Sequence, residues 1–217
     1  MNYLQKKKMA MMNSIASGGR LPSEYQEVEY IQSHTAEYIN TGYIPSQDNT
    51  RVNVGFELTN ESGTYGDKTI FIWGVDPQYD RGYKLDRQDR ASGIKYRVCF
   101  GDNQYTTNLD AEVGTKMNVE VAKGYADFNG TTFTFSQGAL TVTNPMLIFA
   151  VYRGSNILTG YGRFIFYYMQ IYDNGTLVRD FVPCYRKSDN VIGLYDLVND
   201  TFYTNAGSGT FTKGQDV

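Results

Sequence analysis

The residues best equipped for chemistry are aromatic and polar side chains gathered in three short stretches. Trp73 to Tyr83 holds Asp76, Tyr79, Asp80 and Arg81; Asp102-Asn103-Gln104-Tyr105 is the second; Arg153, Asn156 and Tyr161 make the third. A sugar ring stacks its C–H face on an aromatic ring while Asn, Asp and Arg hydrogen-bond its hydroxyls, so each stretch has the composition of a lectin site. The glycan-binding candidates are therefore Tyr79, Arg81, Tyr83, Asn103, Tyr105, Arg153, Asn156 and Tyr161. Trp73 is expected in the core, because it follows an apolar run and tryptophan is highly buried on average.

Catalytic constellations are poorly supplied. His34 is the single histidine, which leaves a serine or cysteine triad one base to draw on and a His/Cys zinc site too few ligands. Glycoside hydrolysis needs two carboxylates about 5 to 9.5 Å apart, and the Glu-x-Asp-x-x-Glu type of strand motif is missing. The nearest acidic clusters are Glu57 with Glu61, and Asp80, Asp86 and Asp89 alternating with Arg81, Arg87 and Arg90. Opposite charges so interleaved read as a solvated, self-paired loop. No catalytic residue is assigned and the expectation is a non-enzyme, the alternative being a hydrolase or lyase with a divergent carboxylate pair. Asp48-Asn49, Asp102-Asn103 and Asn199-Asp200 offer oxygens to calcium but in no recognisable loop spacing, so neither a cofactor nor a required metal is expected.

The elements that must carry these residues read as strands. Val52, Val54, Phe56 and Leu58 alternate with Arg51, Asn53 and Glu57; Ile94, Tyr96, Val98 and Phe100 with Lys95 and Arg97; Met117, Val119 and Val121 with Lys116, Asn118 and Glu120. That period of two marks half-buried strands, and Phe133 and Phe135 between threonines repeat it. Ile70 to Trp73, Leu147 to Tyr152 and Phe164 to Tyr172 are apolar on both faces and read as central strands sandwiched between layers. Asn129-Gly130 and Asn174-Gly175 are hairpin turns. With 22 glycines, 19 tyrosines and 12 phenylalanines in 217 residues, the composition favours one all-β domain.

A net charge of -3 gives no basic field for nucleic acid, and the longest apolar runs fall far short of the roughly 20 residues that cross a bilayer. Cys99 and Cys184 read as buried, reduced thiols. Asn13 and Ser14 break the apolar stretch that follows Lys6-Lys7-Lys8, which argues against a signal peptide.

Leu21-Pro22-Ser23-Glu24-Tyr25-Gln26-Glu27-Val28-Glu29-Tyr30-Ile31 opens the body. Near its end stand Ile171-Tyr172-Asp173-Asn174-Gly175, then Leu177 through Arg186, Gly193-Leu194-Tyr195-Asp196 and Phe202-Tyr203-Thr204-Asn205. These segments resemble a domain family met in tailed-phage, prophage and gut bacterial surface proteins. The resemblance implies a concanavalin A-like, laminin-G-like jelly roll of two antiparallel sheets over residues 21–217, displayed on a virion or another extracellular surface. The same fold hosts lectins, glycosidases and adhesion domains, so the resemblance speaks to fold more than to function. Within the closing segments, Phe181, Tyr195 and Phe202 are expected to pack the last strands, and Arg179 and Asp180 to fix turns.

Residues 1–20 read as an arm with a Gly18-Gly19 joint. Tyr3, Leu4, Met11, Met12 and Ile15 could line one side of a short helix, while Lys6, Lys7 and Lys8 could meet an acidic partner surface. The expectation is therefore a non-catalytic binding or structural module whose partners are other virion or surface-assembly proteins through residues 1–16 and a host cell-surface glycan or another protein, with no nucleic acid and no membrane insertion.

Overall fold

A computed structural model describes residues 20–34, 36–59, 69–79, 81–90, 93–159 and 163–217. The assembly arm (Tyr3, Leu4, Lys6, Lys7, Lys8, Met11, Met12 and Ile15), the Gly18-Gly19 joint, Glu61, Asp80 and Tyr161 lie outside the described residues.

Two sheets stack face to face. The larger runs in the order Thr131–Thr134, Tyr125–Phe128, Lys116–Ala122, Thr50–Leu58, Phe164–Asp173, Thr176–Arg186, Val191–Asp196, Thr201–Thr204. The smaller runs Asn156–Leu158, Val151–Arg153, Thr69–Asp76, Gly82–Arg90, Gly93–Gly101, Gln104–Asp110. Pairing is antiparallel except where Val151–Arg153 lies parallel to Thr69–Asp76. The fold is thus the all-β jelly-roll sandwich expected.

The alternating runs form its core. Val52, Val54, Phe56 and Leu58 are fully buried, as are Val98 and Phe100 opposite them, and Met117, Val119 and Val121 complete the layer. Trp73 is wholly buried. Both Asn-Gly pairs make the hairpins foreseen, with left-handed φ at Asn129 (50°), Gly130 (87°), Asn174 (47°) and Gly175 (77°). Those values match the twist of the flanking strands. Cys99 and Cys184 are buried and form no disulfide with each other.

Two expectations need correction. The run Phe164 to Tyr172 is central in its sheet but buried on one face only, because Ile165, Tyr167, Tyr168 and Tyr172 stay partly exposed. Their phenol groups find polar partners on that outer face: Tyr167 donates to Glu57 Oε2 at 2.9 Å and Tyr168 to Asn118 Oδ1 at 3.1 Å. Tyrosine satisfies both requirements, an apolar body against the sheet and a polar tip outward.

The second correction concerns the charged segment, which is the strand Gly82–Arg90 and not a solvated loop. Lys84, Asp86 and Arg87 are fully buried, and Asp89 is 9 % exposed. Tyr83 and Leu85 alternate into the core with neighbours Phe100 and Val98, which turns Lys84 and Asp86 to the opposite face. There each meets an opposite charge: Asp86 stands in register with Arg97 of the next strand, and Lys84 reaches Asp76. Burial also overturns Tyr83 as a stacking platform, since its ring is 0 % exposed and its hydroxyl donates to Leu140 O at 2.8 Å.

Candidate functional site

At one end of the smaller sheet, two turns and a third segment enclose an open groove of about 650 Å³, a size that suits a small ligand. The first wall is the turn between Thr69–Asp76 and Gly82–Arg90, which contributes Tyr79 and Arg81. The second is the turn between Gly93–Gly101 and Gln104–Asp110, which contributes Asp102 to Tyr105. Thr134, Phe135 and Ser136 close the third side.

The first wall is held from below by Asp76. Its carboxylate is fully buried and accepts from Lys84 Nζ at 2.8 Å, from Arg153 Nη2 at 2.9 Å and from the Arg81 amide at 3.2 Å. Arg153 in turn lies over the Tyr79 ring, 4.3 Å from its centroid, and so steadies a ring that is 76 % exposed. Tyr79 also holds φ at +36°. For a bulky side chain that left-handed backbone is unfavourable, and such conformations persist where the surroundings impose them.

The second wall is tied into the same network. Arg97 is buried; it donates from Nη2 to Asp86 Oδ2 at 2.7 Å and from Nη1 to Gln104 Oε1 at 2.8 Å. Burial opposes the Lys84 ammonium, but Cys99, Asp86 and Asp76 favour it, and its pKa is held above the ordinary lysine value. A ladder of charge therefore runs under the groove, from Arg153 through Asp76, Lys84, Asp86 and Arg97 to Gln104. Gly74 makes it possible: it sits in register with Lys84, and a Cβ there would lie 2.3 Å from Lys84 Cβ. Only glycine lets the lysine stem cross to Asp76.

Tyr105 forms the apolar floor, stacked on Phe135 with centroids 5.8 Å apart and planes at 22°. The third wall approaches closely because Gly101 carries no Cβ; one there would fall 2.2 Å from Gly138 O. Asn103 Nδ2 reaches Ser136 O at 3.4 Å. Asp102 Oδ1 is buried without a hydrogen-bond partner, and Arg81 is exposed with its guanidinium unpaired.

Of the sequence-predicted candidates, Tyr79, Arg81, Asn103 and Tyr105 come together in this groove. Arg153 supports it from beneath. Asn156 is exposed opposite Arg153 on the neighbouring edge strand, outside the lining. Asp102 and Gln104, part of the second stretch but not among the individual candidates, also line the groove; sequence reasoning missed Thr134, Phe135 and Ser136. Phe135-Ser136, an aromatic beside a small polar residue, carried the same signature as the stretches selected.

Elsewhere His34 is exposed and pairs through Nε2 with Thr212 Oγ1 at 2.9 Å. Among the described residues no three His, Cys, Asp or Glu side chains gather as a metal site, and no helix is long and apolar enough to cross a membrane.

No family model matches the chain, and no curated protein matches it. Among solved structures it is similar to a native heptameric SAP-like pentraxin from Limulus polyphemus, with a TM-score of 0.51 and 10 % identity over 87 % of this chain and 95 % of that one. That likeness shows the fold. Tailspike protein 2 of Escherichia coli O157:H7 bacteriophage CAB120 matches with a TM-score of 0.45 and 10 % identity over 80 % of this chain; the match spans 31 % of the tailspike.

Proposed function

We propose that this jelly roll is a non-catalytic glycan-binding module, displayed on a virion or another extracellular surface and attached through residues 1–16 to its assembly. The observation that carries the reading is the groove itself. It unites an exposed tyrosine, a second aromatic floor and a rim of Asn, Gln, Asp and Arg groups drawn from segments far apart in sequence. Aromatic surface beside convergent polar groups is what recognition of a sugar ring requires. Binding is favoured over hydrolysis because the described residues lining the groove include one carboxylate, Asp102, whereas glycosidic cleavage calls on two.

An array of bacterial surface glycans tests the reading with the purified full chain. Binding is expected, together with a loss of about 0.5 to 1.5 kcal/mol for Tyr79→Ala and for Tyr105→Ala. Unchanged binding in both variants would remove the groove from the account. Turnover of any bound glycan, abolished by one Asp or Glu substitution, would replace a binding module with an enzyme.

A further inference from the structure

Every described lysine and arginine side chain but one has a partner. Arg20, Arg51, Lys95, Lys123, Arg186 and Lys213 pair with carboxylates at the surface; Arg97, Arg153 and Arg179 pair with buried ones. Lys116 lies over the Tyr167 ring, while Arg163 and Lys187 donate to backbone carbonyls. Lys84 and Arg87 are engaged within the protein. Arg81 is the exception among the described residues: its amide is fixed to Asp76, but its guanidinium meets no carboxylate, carbonyl or ring.

That exception stands on the groove wall. A chain of net charge -3 that neutralises its other described cations and leaves this one open has a cationic position reserved for something outside the chain. We infer that the groove takes a carboxylate-bearing sugar, a uronic or nonulosonic acid unit within a surface polysaccharide. This deepens the glycan-binding reading and rests on it. The Arg81 fork donates two parallel N–H bonds to the carboxylate oxygens, a geometry that a point-charge ammonium cannot match. The sugar ring lies against Tyr105 or Tyr79. Asp102 does not pair with Arg81, and the partly exposed carboxylate with which it lines the groove accepts a hydrogen bond from a sugar hydroxyl. Among the described lining residues its negative charge beside one cation favours a monoanion over a phosphate monoester, which carries about −1.5 to −2 at neutral pH, and over a run of closely spaced acids.

The test is a glycan array holding hexuronic acid, nonulosonic acid, phosphodiester and neutral oligosaccharides, probed with the full chain and with Arg81→Ala, Arg81→Lys and Tyr79→Ala. Bound glycans are expected to carry a carboxylate. Reducing that carboxylate to the alcohol and substituting Arg81→Ala should each weaken binding at least tenfold, with Arg81→Lys between Ala and wild type. The wild-type melting temperature should persist in Arg81→Ala, since the side chain is exposed. Neutral or phosphodiester glycans bound with loss on Tyr79→Ala would keep the glycan-binding reading and overturn the acidic one. So would carboxylated glycans bound within twofold of wild type by Arg81→Ala. Absence of binding across the array would overturn both.

Discussion

The groove and the turn at Asp196 use similar side chains to opposite ends. Asp196 is fully buried at the end of Val191–Asp196, and its carboxylate accepts from the Asp180 amide at 2.9 Å, the Val198 amide at 3.0 Å and Asn199 Nδ2 at 2.7 Å, with Arg179 3.6 Å away. Around it Phe181 packs edge-on against Tyr203, and Tyr195 and Phe202 both lie 4.9 Å from Tyr25. Its polar atoms are spent within the chain. In the groove the Arg81 guanidinium stays exposed and unpaired, Asp102 Oδ1 is buried without a donor, and Tyr79, 76 % exposed, stands beside them. Residue type does not separate the structural cluster from the proposed recognition site; the satisfaction of its hydrogen-bonding groups does.

The largest effect that could break this comparison comes from the support under the groove. Asp76→Ala strips a buried carboxylate from Lys84 and Arg153 and should cost about 3 to 5 kcal/mol in denaturant unfolding, as removal of one partner from a buried pair does. A loss below about 1 kcal/mol would mean the ladder is not structural.

Asp196→Ala comes next, leaving the Asp180 and Val198 amides without an acceptor, each such loss costing about 1 to 3 kcal/mol. It should leave glycan binding intact in the fraction that folds, which calorimetric titration below the melting temperature would read. Weakened binding there would couple the two regions.

Alkaline pH should unfold the protein. Burial pushes the Cys184 thiol and the Tyr83 phenol each up to about 12, above unfolded values of about 8.5 and 10. The native state therefore keeps these protons longer than the unfolded chain. Their stabilisation is complete below pH of about 8.5 and is lost as pH rises toward 12. Circular dichroism between pH 8 and 12 should show a transition coincident with tyrosinate absorbance, and thiol reagents at pH 8 should leave Cys184 unmodified until the fold opens. Prompt modification in the native state would contradict its burial.

The smallest effect is the sharpest in sign. Tyr79→Gly relieves the left-handed backbone and should raise stability by about 1 kcal/mol, since an L side chain there costs about 1 to 2 kcal/mol, while removing the exposed ring and weakening glycan binding. Opposed signs would mark Tyr79 as a residue kept for function. Equal losses in both would make it structural, like Phe181.

Much of this contrast could be read from the sequence. Period-two runs located the core strands, Asn-Gly pairs located the hairpins, and Phe181, Tyr195 and Phe202 were assigned to packing. Four groove residues were named because aromatic and polar side chains adjoin in Tyr79–Arg81 and Asn103–Tyr105. The sequence could not say that these segments meet, since that depends on register between strands and on the close approach of Gly101 to Gly138. The charged strand was misread for a related reason. Alternating signs within Gly82–Arg90 suit a solvated loop, and only Arg97 and Asp76 on neighbouring strands make them a buried ladder. Tyr83 was miscounted with them, although Tyr83-Lys84-Leu85 already alternates as a strand does.

The central claim is that recognition occurs at the groove. Backbone amide resonances of the labelled chain, followed by NMR as an array-selected oligosaccharide is titrated in, test it most directly. Shifts should concentrate at Tyr79, Arg81 and Asn103 through Tyr105, with the Asp196 turn undisturbed. Shifts concentrated on the outer face of the larger sheet, around Tyr168 and Tyr172, would contradict it.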